Sequence, residues 1–187
     1  MWQFNWFDVT NYGSLKRLKY NFENGRCKMI MGRNLDKKSG QKSNGSGKSM
    51  FLDSIAFGLT GESLRGLPNG DIINNDEKEC VIVEHLTNSR TKDTMQITRT
   101  ISRKASEKVV IEYNGVDLKD RFVKPSDANK LILNYIGITK DDLLNFYMIS
   151  TKNYVSFLKA GDTAKKDLIH RFSKADVLDG LKEIFET

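Results

Sequence analysis

The sequence predicts an α/β fold, a mixed sheet around one helix that begins at a phosphate-binding loop, with an antiparallel meander beside it. Three observations predict it. Gly47-Lys48-Ser49 closes a Gly-, Ser- and Lys-rich stretch and leads into a mostly apolar helical run, Ser49 to Phe57. Three short runs precede it, Phe4–Val9, Leu15–Phe22 and Cys27–Met31, and Asn24-Gly25 between the second and third is a strong hairpin signal. From Glu79 onward apolar residues return at every second position, as they do along a half-buried strand.

In chain order, Phe4–Val9 alternates and reads as a first strand, followed by a turn at Asn11-Tyr12-Gly13-Ser14. Leu15–Phe22 reads as a second, with Leu15, Leu18, Tyr20 and Phe22 apolar and Lys16, Arg17 and Lys19 exposed. Cys27–Met31 is short and largely apolar, the pattern of a central strand. The helix after the loop runs to about Leu59 and stops at Thr60-Gly61. Glu62–Asn75 is a Gly-, Pro- and Asn-rich connection. Cys80–Leu118 reads as a meander of three or four strands, with Asn114-Gly115 as one hairpin turn. Its polar face is expected to carry Arg90, Lys92, Arg99, Arg103, Lys104 and Lys108. Ser126 is the expected N-cap of a helix to Ile136, closed by Gly137, and Thr139 that of another, Lys140 to about Phe146. Tyr147–Ser150 reads as a buried strand and Asn153–Lys159 as a short helical turn. A helix from Asp162 or Thr163 passes Leu168, Ile169 and Phe172, and another from Ala175 carries Leu178, Leu181 and Phe185. No internal repeat is present.

Composition narrows the class. With 187 residues, 39% hydrophobic and ten Phe, the chain suffices for one domain or one lobe of a larger one. A mean hydropathy of −0.49 and the absence of any apolar run near the ~18–20 residues of a membrane span argue against insertion in a bilayer. The start, Met1 to Trp6, lacks the basic and apolar blocks of a signal peptide. Cys27 and Cys80 are far apart and form no metal pattern with His85 and His170, which suggests buried thiols in a reducing cytoplasm. A net charge of +6 and a pI of 9.2 mildly favour a polyanionic partner.

The chemistry concentrates in Lys42 to Ser49. Gly47-Lys48-Ser49 is the end of a G-x-x-x-x-G-K-[ST] loop. Gly45 and Gly47 allow backbone N–H groups to approach phosphate oxygens with no Cβ in the way. The Lys48 ammonium would sit between the β- and γ-phosphates, which makes it the candidate catalytic residue, and the Ser49 hydroxyl would ligate Mg²⁺. Asn34, Asn44, Ser46 and Met50 complete the expected nucleotide contacts, with Asn34 and Asn44 equally suited to plain turn roles. Lys42 stands where the motif's first Gly belongs, so Leu35–Ser43 reads as a polar insertion and Gly32 as the motif's opening residue. Arg99, Arg103 and Lys104 are candidates for contacting a DNA backbone, although a charged face on a half-exposed sheet is the ordinary explanation for such residues.

Five stretches, in this order, resemble the amino-terminal lobe of an SMC-like ATPase of the SbcC double-strand-break repair type, phage recombination-exonuclease subunits included. They are Phe7 to Tyr12, Ile30 to Asn34 with Ser43 to Ser49, Leu52 to Gly61, Leu64-Arg65-Gly66 with Asp71 to Asn74, and Tyr154 to Asp162 with Lys165 to Ile169. The resemblance implies a P-loop NTPase fold of ABC type, with ATP and Mg²⁺ as cofactors. It implies that residues 1–187 are the amino-terminal half of an ATPase head whose carboxy-terminal lobe lies beyond a coiled coil. The implied partners are that lobe, a second protomer in an ATP-bridged homodimer, DNA, and a nuclease or effector subunit. The family usually carries a metal-binding Gln where this chain has Thr151, so Thr151 is a candidate metal contact and the coupling of hydrolysis to DNA is in question. Two other expectations stand beside the repair reading: a sensor subunit of a prokaryotic defence complex, and a nucleotide-binding module without hydrolysis.

Overall fold

The computed structural model describes residues 1–23, 25–33, 47–148, 159 and 161–172. The chain divides into two units, Met1–Ile136 and Gly137–Thr187.

The first unit is built on one six-stranded sheet. β1 (Trp2–Tyr12) and β2 (Leu15–Asn21) form a hairpin closed by Gly13 and Ser14. β3 (Glu79–Asn88), β4 (Thr94–Ser102), β5 (Lys108–Tyr113) and β6 (Val116–Asp117) form the meander. The order is β2-β1-β3-β4-β5-β6, and every pairing among the described residues is antiparallel. The hairpin and the meander are therefore one sheet, joined by β1 against β3. Asn114-Gly115 is the β5–β6 turn, both residues at positive φ as a two-residue hairpin of this hand requires.

One face of this sheet is the core. Phe7, Val9 and Tyr12 of β1, Cys80, Ile82 and Leu86 of β3, Met95, Ile97 and Ile101 of β4 and Ile111 of β5 all point to it and are buried. α1 (Lys48–Thr60) lies across that face against β1, β3 and β4, and beside α3 (Pro125–Ile136). α1 buries nine of its thirteen residues, so it has no clean polar stripe, which is the pattern of a helix enclosed on most sides. α2 (Asn69–Ile72) is a single turn in the connection to β3. On the sheet's other face Trp6 stacks on His85 at 5.6 Å, next to a bulge between Phe4 and Trp6.

Three expectations are corrected here. Cys27–Met31 is not a strand: Met29 and Met31 are 86% and 83% exposed. A strand exists only where a neighbour completes its hydrogen bonds, and among the described residues nothing pairs with this segment. Arg99 is not on the polar face of the meander. It shares the parity of Met95, Ile97 and Ile101 and is buried with them. The helix expected from Ser126 begins at Pro125, with Ala128 N–H donating to Lys124 O at 3.2 Å, because proline suits the first helical position, where its missing N–H costs nothing.

In the second unit Thr139 caps α4 (Lys140–Asp142) as expected, with Asp142 N–H donating to Thr139 Oγ1 (3.1 Å) and Thr139 N–H to Asp142 Oδ2 (3.0 Å). The helix then widens into a π-helical turn, Leu143–Tyr147. Tyr147 is thus helical and 56% exposed rather than part of a buried strand, because Met148 N–H bonds Leu143 O and carries the coil through it. α5 (Asp162–Phe172) matches the helix expected there. The turn expected at Asn153–Lys159, apart from Lys159, and the helix from Ala175 lie outside the described residues. Among the described residues no helix is long and apolar enough to cross a membrane.

Candidate functional site

The site is the first turn of α1. Gly47 is its N-cap, at φ 85°, a left-handed conformation that a side chain would strain. Phe51 N–H closes the first turn onto Gly47 O at 3.0 Å. No side chain caps this end and no acidic residue lies in the first turn. Among the described residues no first-turn acid answers the leading amides and the positive end of the helix dipole, which is the electrostatic setting for a bound phosphate. Ser49 is exposed at this turn, and Lys48 is half-buried beside it. The described part of the expected site, Gly47, Lys48, Ser49 and Met50, is thus brought together at one helix end. Asn34, Asn44, Gly45, Ser46 and Thr151 lie outside the described residues. A cleft of about 180 Å³ adjoins this end, walled by Leu18, Tyr20, Ile30, Gly47, Lys48 and Phe51. Its walls are largely apolar, with Lys48 as the one charged residue among them.

The turn is braced from below by a carboxylate. Asp53, 1% exposed on α1, accepts from Tyr12 Oη at 2.7 Å, from Ser63 Oγ at 2.9 Å and from Leu64 N–H at 2.6 Å. It ties the end of β1, the middle of α1 and the start of the next connection into one knot. Burial, followed by the Asp53 charge, pushes the Tyr12 phenol well up, so Tyr12 stays the donor. Burial likewise pushes the Cys80 thiol up to about 12, which leaves it an inert core residue.

The same knot delivers a cation that the sequence reading left out of the site. Arg65 follows directly on Leu64, and its Nη1 donates to Met50 Sδ at 3.5 Å, on the first turn of α1. Its signals in the sequence are its position in the Gly- and Pro-rich connection after the loop helix and its place in the resembling stretch Leu64-Arg65-Gly66.

The three candidate DNA contacts separate. Arg99 is 0% exposed and wholly engaged: Nε donates to Gly58 O (2.6 Å), Nη1 to Glu107 Oε1 (2.6 Å), and Nη2 to Asn129 Oδ1 (2.6 Å) and Leu59 O (3.4 Å). It holds the far end of α1 and does not face solvent. Arg103 is exposed but spends its guanidinium on the carbonyls of Gly70, Ile73, Asn74 and Glu77, fixing the connection before β3. Lys104 is exposed. Among the described residues no group of three or more His, Cys, Asp or Glu is placed to hold a metal.

A family model described as AAA domain matches residues 8–187. The chain belongs to this family. Its fold is that of an SMC-like amino-terminal ATPase lobe, a P-loop NTPase of ABC-like type. It is 22% identical over 185 residues to Arcadin-4 of Pyrobaculum calidifontis, which covers 97% of this chain and 21% of that protein. It is 26% identical over 142 residues to Exonuclease subunit 2 of Escherichia phage RB69, covering 75% and 24%. Among solved structures, a chain from a study of ATP-driven dimerization and DNA-stimulated activation of SMC ATPases superposes with a TM-score of 0.61 at 19% identity, covering 89% of this chain and 96% of that one. The lobe thus spans between a fifth and a quarter of the length of these two curated relatives.

Proposed function

We propose that this lobe binds Mg-ATP at the first turn of α1 and is one half of an SMC-like ATPase head. The observation that carries the reading is the helix end itself: a left-handed Gly47 cap, no acid in the first turn, and Lys48 and Ser49 on one turn. In this reading Lys48 neutralises the phosphates, Ser49 ligates Mg²⁺, and Arg65, held beside Met50, adds a further positive charge. Hydrolysis requires a carboxy-terminal lobe and a second protomer. The exposed Met29, Ile30 and Met31 favour such a complementary half, because they form an exposed apolar segment that no strand among the described residues pairs. ATP bridges two heads, and its hydrolysis releases them. The test is nucleotide binding by the full-length protein. Lys48→Ala is expected to weaken Mg-ATP binding by more than about tenfold, in line with loss of one charge-assisted phosphate contact. Undiminished binding by that variant would overturn the reading.

The phage exonuclease relative and the basic composition support a role on DNA with a nuclease partner, in a cytoplasmic setting. Lys104 is the best-placed exposed contact of the three first considered. Lys104→Glu is expected to lower DNA affinity and to flatten its dependence on salt by about one counterion. An unchanged salt slope would remove the hairpin from the DNA path. Thr151, in place of the family's Gln, favours a second reading, an effector-releasing sensor in a defence complex. A comparison of steady-state turnover with and without DNA decides between the two: stimulation supports the nuclease reading, and binding without turnover supports the sensor.

A further inference from the structure

Opposite the phosphate end, α1 finishes over a buried charge cluster that the nucleotide reading does not use. Arg99 on β4 is its centre, and its ion-pair partner among the described residues is Glu107, 10% exposed in the connection to β5. That connection is the exposed part of the cluster: residues 103–106 are all exposed, and Lys104 and Lys108 flank Glu107 on either side. On β3 lies a second carboxyl, Glu84. It is 0% exposed, and neither of its oxygens has a hydrogen-bond partner. It is pressed against the backbone of α1 so closely that a Cβ on Gly58 would fall 2.2 Å from Oε1.

Glu84 pairs across the sheet with Ile97, and Arg99 with Ile82. The two side chains are therefore diagonal neighbours on the same face, within reach of each other for residues of this length. Each element packed against Glu84 presents its own group to it. β4 presents Arg99, and β1 presents Phe7, which is uncharged. α1 presents Gly58, its Asp53 being engaged by Tyr12, Ser63 and Leu64. α3 presents the neutral Asn129, through Arg99. Along β3 itself, Cys80 is a neutral thiol. Among the described residues Arg99 is thus the one charge acting on Glu84. Burial pushes the Glu84 carboxyl well up, which outweighs the pull of Arg99 while Glu107 neutralises that guanidinium.

We propose that Glu84 is a reserve counter-ion for Arg99, taking over the guanidinium when Glu107 is drawn away by a ligand or partner at the Lys104–Lys108 connection. The exchange balances. Glu107 leaves as a carboxylate, the O–H bond of Glu84 breaks, its proton goes to solvent, and the cluster remains neutral throughout. The contacts of Arg99 to Gly58 O and Leu59 O then survive a movement of the connection, so the helix carrying Lys48 and Ser49 stays anchored. The role is independent of whether the ligand at the other end of α1 is ATP.

The sign of the pH effect follows from Glu84 being neutral in the folded chain. Its contribution to stability is fully present below the ordinary carboxylate value of 4.5 and is lost as pH rises toward its raised folded value. The experiment is urea unfolding of the full-length protein between about pH 5 and about pH 8, for wild type, Glu84→Gln, Glu107→Gln and the double variant. Wild type is expected to lose stability as pH rises, and Glu84→Gln to remove that loss. Glu107→Gln alone is expected to remove it too, because Glu84 is then ionised against Arg99. At the upper pH the double variant should raise the unfolding constant at least about tenfold beyond the product of the single effects. Additive effects, or an unchanged pH dependence in Glu107→Gln, overturn the proposal. Infrared difference spectra give an independent reading if the double variant does not fold. The protonated-carboxyl band that Glu84→Gln deletes should also be missing in Glu107→Gln, and its persistence there overturns the proposal equally.

Discussion

The two ends of α1 are built on opposite principles. At its start nothing in the described chain answers the helix dipole: Gly47 caps it without a side chain and no acid stands in the first turn. At its finish a buried guanidinium donates to the carbonyls of Gly58 and Leu59 and is itself held by Glu107 and Asn129. One end has a glycine cap and no acid in its first turn. The other satisfies its polar groups internally and contributes much to stability. The difference shows how a single helix serves binding and folding at once: the fold anchors the end that the ligand does not touch.

That contrast can be broken from either end. The largest effect is expected at the sealed end. Arg99→Met leaves two helix carbonyls, Asn129 and Glu107 without their donor, at a cost of about 3–5 kcal/mol by denaturant unfolding. A loss below about 1 kcal/mol would mean that the cluster is not an anchor. Next comes Gly58→Ala. In an ordinary helix this change stabilises by roughly 1 kcal/mol, but here the new methyl meets the Glu84 carboxyl, and a loss of about 1–3 kcal/mol is expected. The smallest stability effect belongs to the open end. Lys48→Ala, which should weaken nucleotide binding most, is expected to change unfolding free energy by less than about 0.5 kcal/mol. A large stability loss in that variant would mean that the first turn serves the fold and not a ligand.

Much of the site was legible because it is local. Gly47-Lys48-Ser49, the helix behind it and its stop at Gly61 are written in consecutive residues, and Gly61 closes α1 at φ 70° with its N–H on Phe57 O. The hairpin at Asn114-Gly115 and the cap at Thr139 were readable for the same reason. Arg99 is instructive because its position was also readable. Period two groups it with Met95, Ile97 and Ile101, yet its charge argued for solvent, and the alternation was the better guide. Arg65 was missed as a site residue because its place beside Met50 depends on Asp53 fixing Ser63 and Leu64, a contact no local pattern announces.

By itself the sequence determined where the Gly47-Lys48-Ser49 turn lies, which helix follows it, and which residues alternate between the two faces of the sheet. These follow from backbone preference and side-chain periodicity, which act over a few residues. Only the tertiary structure decided that Arg99 is an anchor, that Glu84 sits uncharged beneath Gly58, and that Cys27–Met31 does not pair as a strand. A buried charge is tolerated only when its acceptors arrive from elsewhere in the chain, here some 40 residues earlier in sequence at Gly58 and 30 later at Asn129. A strand, likewise, is defined by the neighbour that completes its hydrogen bonds.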